Sequence, residues 1–203
     1  MHIPQSTTKQ IDVLSFESAL EAALSPQKYD EKKWLYVPPF YTEYRYILGT
    51  RGNDPIICVG INPSTAEPNN LDNTLKSVER VARANGHDGF IMFNVYAQRA
   101  TDPKNMETEK NAYLHAQNMA AFEYALKISE KPKIWAAWGT IVERRGYLSS
   151  CLFDMISIAK KHGAAWVFAG RRSTAGHPHH PLYLKSDSLF EPFDVEEYAK
   201  TLI

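Results

Sequence analysis

Four short polar stretches of this chain carry residue types suited to placing water, reading a planar ring or holding an anion. The first, Asn62-Pro63-Ser64-Thr65, follows the apolar run Ile56–Ile61. The second starts at Asn94, after Phe90–Phe93, and takes in Tyr96, Gln98 and Arg99. Gly139-Thr140 forms the third, after Ile134–Trp138. The longest is Arg171-Arg172-Ser173-Thr174-Ala175-Gly176-His177-Pro178-His179-His180, after Trp166–Ala169. An asparagine amide offers both a donor and an acceptor, so Asn94 can pair with a polar edge that presents both. Asn62 can hold a water but cannot take its proton as a carboxylate would. Asparagine also caps turns, and a loop histidine is often plain surface, so the chemistry depends on what brings these stretches together.

The elements between them supply that. Short continuous apolar runs fit central strands covered on both faces. The runs 56–61, 90–94, 134–138 and 166–169 read as four such strands. Residues 73–85, with Leu75, Val78, Val81 and Ala82 on one face and Gly86 as a stop, read as a helix. So do 111–129 and most of 140–161. A short helix is expected at 15–24 behind Ser15, and a last amphipathic one at 194–202. Residues 34–41 (WLYVPPFY) read as a loop packed on the body. Tyr44–Gly49 reads as a weak strand, turning at 51–54 into a hairpin with the next one. Strand and helix alternate from residue 56 onward, which predicts a mainly parallel sheet. In such sheets ligands bind beyond the carboxyl ends of the strands. The four polar stretches therefore converge on one edge. The expected architecture is α/β, a three-layer αβα sandwich around a four- to five-stranded sheet, in one domain over 1–203.

Composition narrows the function. Hydrophobic residues are 44% and charged residues 23% of the 203, an ordinary globular balance. The formal net charge is +0, which argues against a nonspecific nucleic-acid coat but leaves room for a local basic face. Arg144-Arg145, Lys160-Lys161 and Arg171-Arg172 are candidates for that face. Cys58 and Cys151 are the only cysteines, and Cys58 reads as a buried free thiol. Two cysteines exclude a four-cysteine iron–sulfur cluster. No P-loop and no G-x-S-x-G elbow is present. No apolar run approaches the roughly 18 residues of a membrane span, and Met1–Asp12 lacks the apolar core of a signal peptide. A cytoplasmic monomer without membrane contact, metal or cofactor is expected.

Four stretches resemble, in order, motifs of the uracil-DNA glycosylase superfamily. Val59-Gly60-Ile61-Asn62-Pro63 is similar to the G-I-N-P-G motif of the mismatch-specific type. Phe90–Asn94 resembles the strand ending in the asparagine that reads the pyrimidine. Trp135–Gly139 resembles the later strand ending in W-G, and Gly176-His177-Pro178 with Pro181-Leu182 resembles H-P-S-P-L. A nearer resemblance, over 44–184, is to a bacterial and phage family of unknown function sharing NPSTA, RATDP and GHPxHPLYL. It implies no activity.

The glycosylase resemblance implies hydrolysis of the bond between deoxyribose and a flipped base, with DNA as partner. Asn62 then places the water. His177 donates to the pyrimidine carbonyl as charge grows there. Ile61, Ser64, Asn94 and Tyr96 contact the base, Tyr96 as a stacking face. Ser173, Thr174, Arg171, Arg172, His179 and His180 face DNA. Leu182 or Tyr183 fills the gap in the duplex, ordinary packing being slightly favoured for Tyr183. Faster members carry aspartate where this chain has Asn62, which implies slower chemistry. Strict uracil enzymes carry tyrosine where this chain has Ser64, which implies a pocket open at the pyrimidine 5-position. A bulky 5-modified pyrimidine, such as the hydroxymethyl or glycosylated bases of phage DNA, becomes the expected substrate. Arg99, Arg171, His179 or His180 would contact the added group. Antiphage defence would follow. The alternatives are a non-catalytic modified-base or nucleotide binding protein, an enzyme acting on free nucleotides, and a metal-dependent hydrolase using His177, His179 and His180. The last lacks H-E-x-x-H or a cysteine pair.

Overall fold

In the computed structural model of the protein, which describes Thr8 and residues 11–202, one mixed sheet of seven strands forms the centre. The strands are β1 (Trp34–Val37), β2 (Ile47–Thr50), β3 (Pro55–Gly60), β4 (Gly89–Asn94), β5 (Lys133–Ala136), β6 (Ala165–Ala169) and β7 (Phe190–Pro192). Their spatial order is β1-β2-β4-β3-β5-β6-β7. The four middle strands, β4, β3, β5 and β6, run parallel. β1 and β2 on one flank and β7 on the other are antiparallel. The polar segment Met1–Asp12, read as lacking a signal-peptide core, falls mostly outside the described residues.

The middle strands arise where the sequence is continuously apolar. Every residue of β3 and β4 is buried. Alternate side chains supply two cores. Ile57, Val59, Ile91, Phe93, Ile134 and Ala136 face one, together with helices α1 (Phe16–Ala23), α3 (Ala112–Leu126), α4 (Gly146–Lys161) and α5 (Val195–Ala199). Ile56, Cys58, Phe90, Met92 and Trp135 face the other, beneath helix α2 (Asn73–Ala84). Burying each large apolar side chain contributes about 1.5–3 kcal/mol, so a core on each face holds the layers together. α2 is amphipathic, burying Leu75, Val78, Val81 and Ala82, and Asp72 caps it by accepting from Leu75 N.

Three expectations are corrected. The sheet has seven strands rather than four or five, and it is mixed. Residues 34–37, read as loop, form β1; all four side chains are buried, because an antiparallel flank strand can bury aromatic side chains as well as aliphatic ones. β2 makes no hairpin with β3: it pairs with β1 and β4, so β4 lies between it and β3. Cys58 and Cys151 are buried free thiols. No helix among the described residues is long and apolar enough to cross a membrane.

Candidate active-site cleft

The chain returns from β4 to β5 across β3, so the direction of strand addition reverses there. Ligand crevices of open α/β sheets form at such a reversal, beyond the carboxyl ends of the strands. A cleft of about 690 Å³ occupies this place, lined among others by Gly60, Ile61, Asn62, Ser64 and Asn94. Gly139-Thr140, from the turn after β5, and His180, Leu182 and Tyr183, from beyond β6, close its other side. Asp72, Asn73 and Thr74 bring the N-terminus of α2 to it.

Glycine is required on the cleft floor. A Cβ on Gly60 would stand 2.7 Å from the Met92 methyl and 3.2 Å from the Asn94 amide. Gly139 turns the chain out of β5 at a φ of 61°, a conformation that side-chain-bearing residues avoid.

Asn62 is oriented by its neighbours. Its Nδ2 donates to the carbonyl oxygens of Ala100 at 2.7 Å and Pro63 at 3.1 Å. Both N–H bonds are spent on backbone, which leaves Oδ1 as the open acceptor of a cleft-lining amide. Asn94 is buried, and the surrounding acceptors orient its amide so that the nitrogen donates to the carbonyl oxygens of Asn62 at 3.2 Å and Phe93 at 3.3 Å. Asn118 on α3 pins the same strand end, donating to Asn94 O at 3.0 Å. The Ser64 hydroxyl lies 3.4 Å from that of Thr101.

The histidine that shares this cleft with Asn62 is His180, not His177. The Leu182 N–H donates to His180 Nδ1 at 3.3 Å, so in the neutral ring the proton sits on Nε2. Burial pushes the His180 pKa below the ordinary histidine value, with nearby Asp72 opposing and His179 reinforcing the shift. α2 fixes the turn that carries it: Ser77 Oγ donates to Pro181 O at 2.7 Å, and Arg80 Nη2 donates to Leu184 O at 3.3 Å.

His177 lines an adjoining hollow of about 420 Å³ with Arg171, Arg172, Ser173, Pro178 and His179. It is buried with both ring nitrogens engaged. Nδ1 lies 2.8 Å from the Tyr198 hydroxyl and Nε2 lies 3.1 Å from Glu143 Oε1. Trp138 Nε1 donates to the same tyrosine oxygen at 2.9 Å. The directions agree from end to end: indole to phenol, phenol to Nδ1, Nε2–H to carboxylate. The expected pairing of Asn62 with His177 across one cleft is thus corrected, because Tyr198 and Glu143 occupy the imidazole on its own side.

The remaining expected residues divide. Ile61, Ser64, Asn94 and Leu182 line the cleft. Arg171, Arg172, Ser173 and His179 line the hollow, which meets the cleft at Gly139, Thr140, His180 and Tyr183. Thr174 is exposed but lines neither. The Ser173 hydroxyl accepts from His177 N at 3.0 Å and so folds its own loop. Arg172 lies over the rings of Phe168 and Phe193, at 5.4 and 5.9 Å. Tyr96 is no stacking face. It is fully buried, and its hydroxyl accepts from Asn111 N at 2.8 Å. Arg99 is likewise buried, donating to the backbone oxygen of Ser64 and to the Tyr36 hydroxyl. Tyr183, expected to pack, is 76% exposed at the mouth, and Leu182 is 38% exposed beside it. Among the described residues no three His, Cys, Asp or Glu side chains form a group that could hold a metal ion. Sequence reasoning missed Arg45, Thr101 and Asp72 in the cleft. An N-cap position before an amphipathic run was the one signal that pointed to Asp72.

A family model described as a protein of unknown function (DUF1643) matches residues 45–182. No curated protein and no solved structure matches the chain.

Proposed function

The chain belongs to the DUF1643 family, and we propose that it is a monofunctional DNA glycosylase that hydrolyses the N-glycosidic bond of a flipped, 5-modified pyrimidine. The observation that carries this reading is the pairing of an oriented amide acceptor, Asn62 Oδ1, with a neutral imidazole donor, His180, in one cleft. Hydrolysis here leaves an electron-poor sugar and an electron-rich base. Asn62 Oδ1 holds the attacking water near C1′. The bond from C1′ to the ring nitrogen breaks with its electron pair going to the base. His180 Nε2–H donates to the pyrimidine carbonyl that gathers this charge. The water oxygen joins C1′, and its surplus proton leaves to solvent, since no carboxylate stands at Asn62 to receive it.

The second histidine-proline pair, His180-Pro181, therefore takes the part that the resemblance gave to His177. Asn94 reads the pyrimidine edge. Ser64, small where the strict uracil enzymes carry tyrosine, leaves room at the 5-position for a hydroxymethyl or glycosyl group. Leu182 and Tyr183 enter the gap in the duplex, and Arg171 and Arg172 face phosphates beside it. DNA from phages with modified bases is the substrate source this implies. Incubation with DNA panels carrying different pyrimidines, followed by alkaline cleavage at abasic sites, tests the reading. Breaks at 5-modified positions support it, and cutting confined to unmodified uracil refutes the open-pocket part.

A further inference from the structure

Arg45 lines the cleft, yet its side chain is 1% exposed. Of the five N–H donors of a guanidinium, Nη1 reaches Ala66 O at 3.1 Å and Nε has no partner. Arg99, 2% exposed, reaches the same Ala66 oxygen at 3.5 Å, with its own Nε unpartnered. Among the described residues neither arginine forms an ion pair. Burial, reinforced by Arg99, pulls the Arg45 pKa down to about 9. Asp72 favours its charge from a distance, but Asp72 Oδ1 is held by the N-cap of α2. Buried charges are ordinarily paired, because desolvation costs several kcal/mol per ion. The N–H groups of Asn73 and Thr74, without intrahelical acceptors by position, belong to residues lining the same cleft. A helix N-terminus and a buried guanidinium that no salt bridge neutralises therefore line the same cleft.

We propose that this end is an oxyanion subsite: the ligand carries a phosphate or carboxylate group that seats on Arg45 and the first turn of α2. The proposal rests on the reading of the cleft as a pyrimidine site, and it adds a charge requirement to that reading. The oxyanion has two sources, a nucleotide phosphate or a carboxylate borne on the base.

Calorimetric titration of the full chain with deoxycytidine, its 5′-monophosphate, 5-carboxydeoxycytidine and inorganic phosphate separates them. At least one oxyanion-bearing ligand is expected to bind about 10-fold or more tightly than deoxycytidine, and which one does so assigns the source. Inorganic phosphate is expected to compete with that ligand. Arg45→Gln should abolish the preference for the oxyanion-bearing ligand over deoxycytidine. Should that variant fail to fold, phosphate competition on the unsubstituted protein decides alone. Equal affinity for charged and uncharged ligands, or no competition by phosphate, overturns the subsite. Binding is read without base release. A protein that prefers the oxyanion but makes no abasic sites keeps the subsite and loses the glycosylase, and the converse result does the reverse.

Discussion

Asn62 Nδ2 donates to Ala100 O at 2.7 Å, and with the second donation to Pro63 O at 3.1 Å this leaves Oδ1 as the amide's open group. The loop after β4 thereby sets the chemistry of the loop after β3. An amide held this way offers an acceptor only, enough to orient a water and too weak a base to deprotonate it. Asn62→Asp should place a base at the same spot and raise single-turnover base release. Its carboxylate would lose the donation to Ala100, so a lower melting temperature is expected with it. Unchanged release with unchanged stability would mean that position 62 does not touch the reacting water.

The two histidines of the 177–180 loop should separate cleanly. His180→Ala is expected to slow base release about 100- to 1,000-fold, the usual cost of losing one donor to developing charge. His177→Ala should act chiefly on stability, by about 1–3 kcal/mol, because it leaves the buried Tyr198 hydroxyl without its acceptor. Release rates and denaturant midpoints of both variants check this, and the reverse pattern would return the role to His177.

Acidification should destabilise the fold before carboxylates titrate. Burial lowers the pKa of His180 and of His115, the latter against the opposing pull of Asp154. Below the ordinary histidine value of 6.5 the unfolded chain binds protons that the folded chain refuses. Stability therefore falls as pH drops from that value toward the folded ones. Asp88, lowered by the N–H groups of Asn53 and Asp54, adds a further loss only below its ordinary 3.8. Melting temperatures between pH 7.5 and 5 should decline, and the decline should flatten in a His115→Gln, His180→Gln double variant.

Leu182 and Tyr183 stand at the mouth, 38% and 76% exposed, with the Tyr183 ring edge-on to His179, so the pair has little packing to lose. Truncating both to alanine should change stability by less than about 0.5 kcal/mol. Excision from duplex DNA should drop while excision from single strands persists, since only a duplex needs its gap filled. Equal loss on both substrates would show the pair contacting the base instead.

What could be read in advance follows the range of the forces. β3, β4, β5 and β6 were legible because burial on both faces writes a continuous apolar run, a local signal. Their carboxyl-end loops followed from that, and with them Asn62, Ser64 and Asn94. β1 was missed because Pro38, Pro39 and the aromatics around them resemble a packed loop, and its pairing partner lies beyond a turn. His177 rather than His180 was expected in the cleft because His-Pro occurs twice within five residues. What selects His180 is Ser77 and Arg80 on α2, about a hundred positions away in sequence. Tyr96 sits two residues beyond β4, where no period tells inward from outward. Arg45 lies between two tyrosines, with nothing nearby to mark it as a cleft residue.

The most direct test compares the unsubstituted protein with Asn62→Ala and His180→Ala, each with a verified melting transition, on duplex DNA containing 5-modified pyrimidines. Abasic sites should form with the unsubstituted protein and fall at least about 100-fold with either variant. Abasic-site formation that proceeds undiminished in both variants, or that is absent from the folded unsubstituted protein on every pyrimidine offered, would contradict the glycosylase reading.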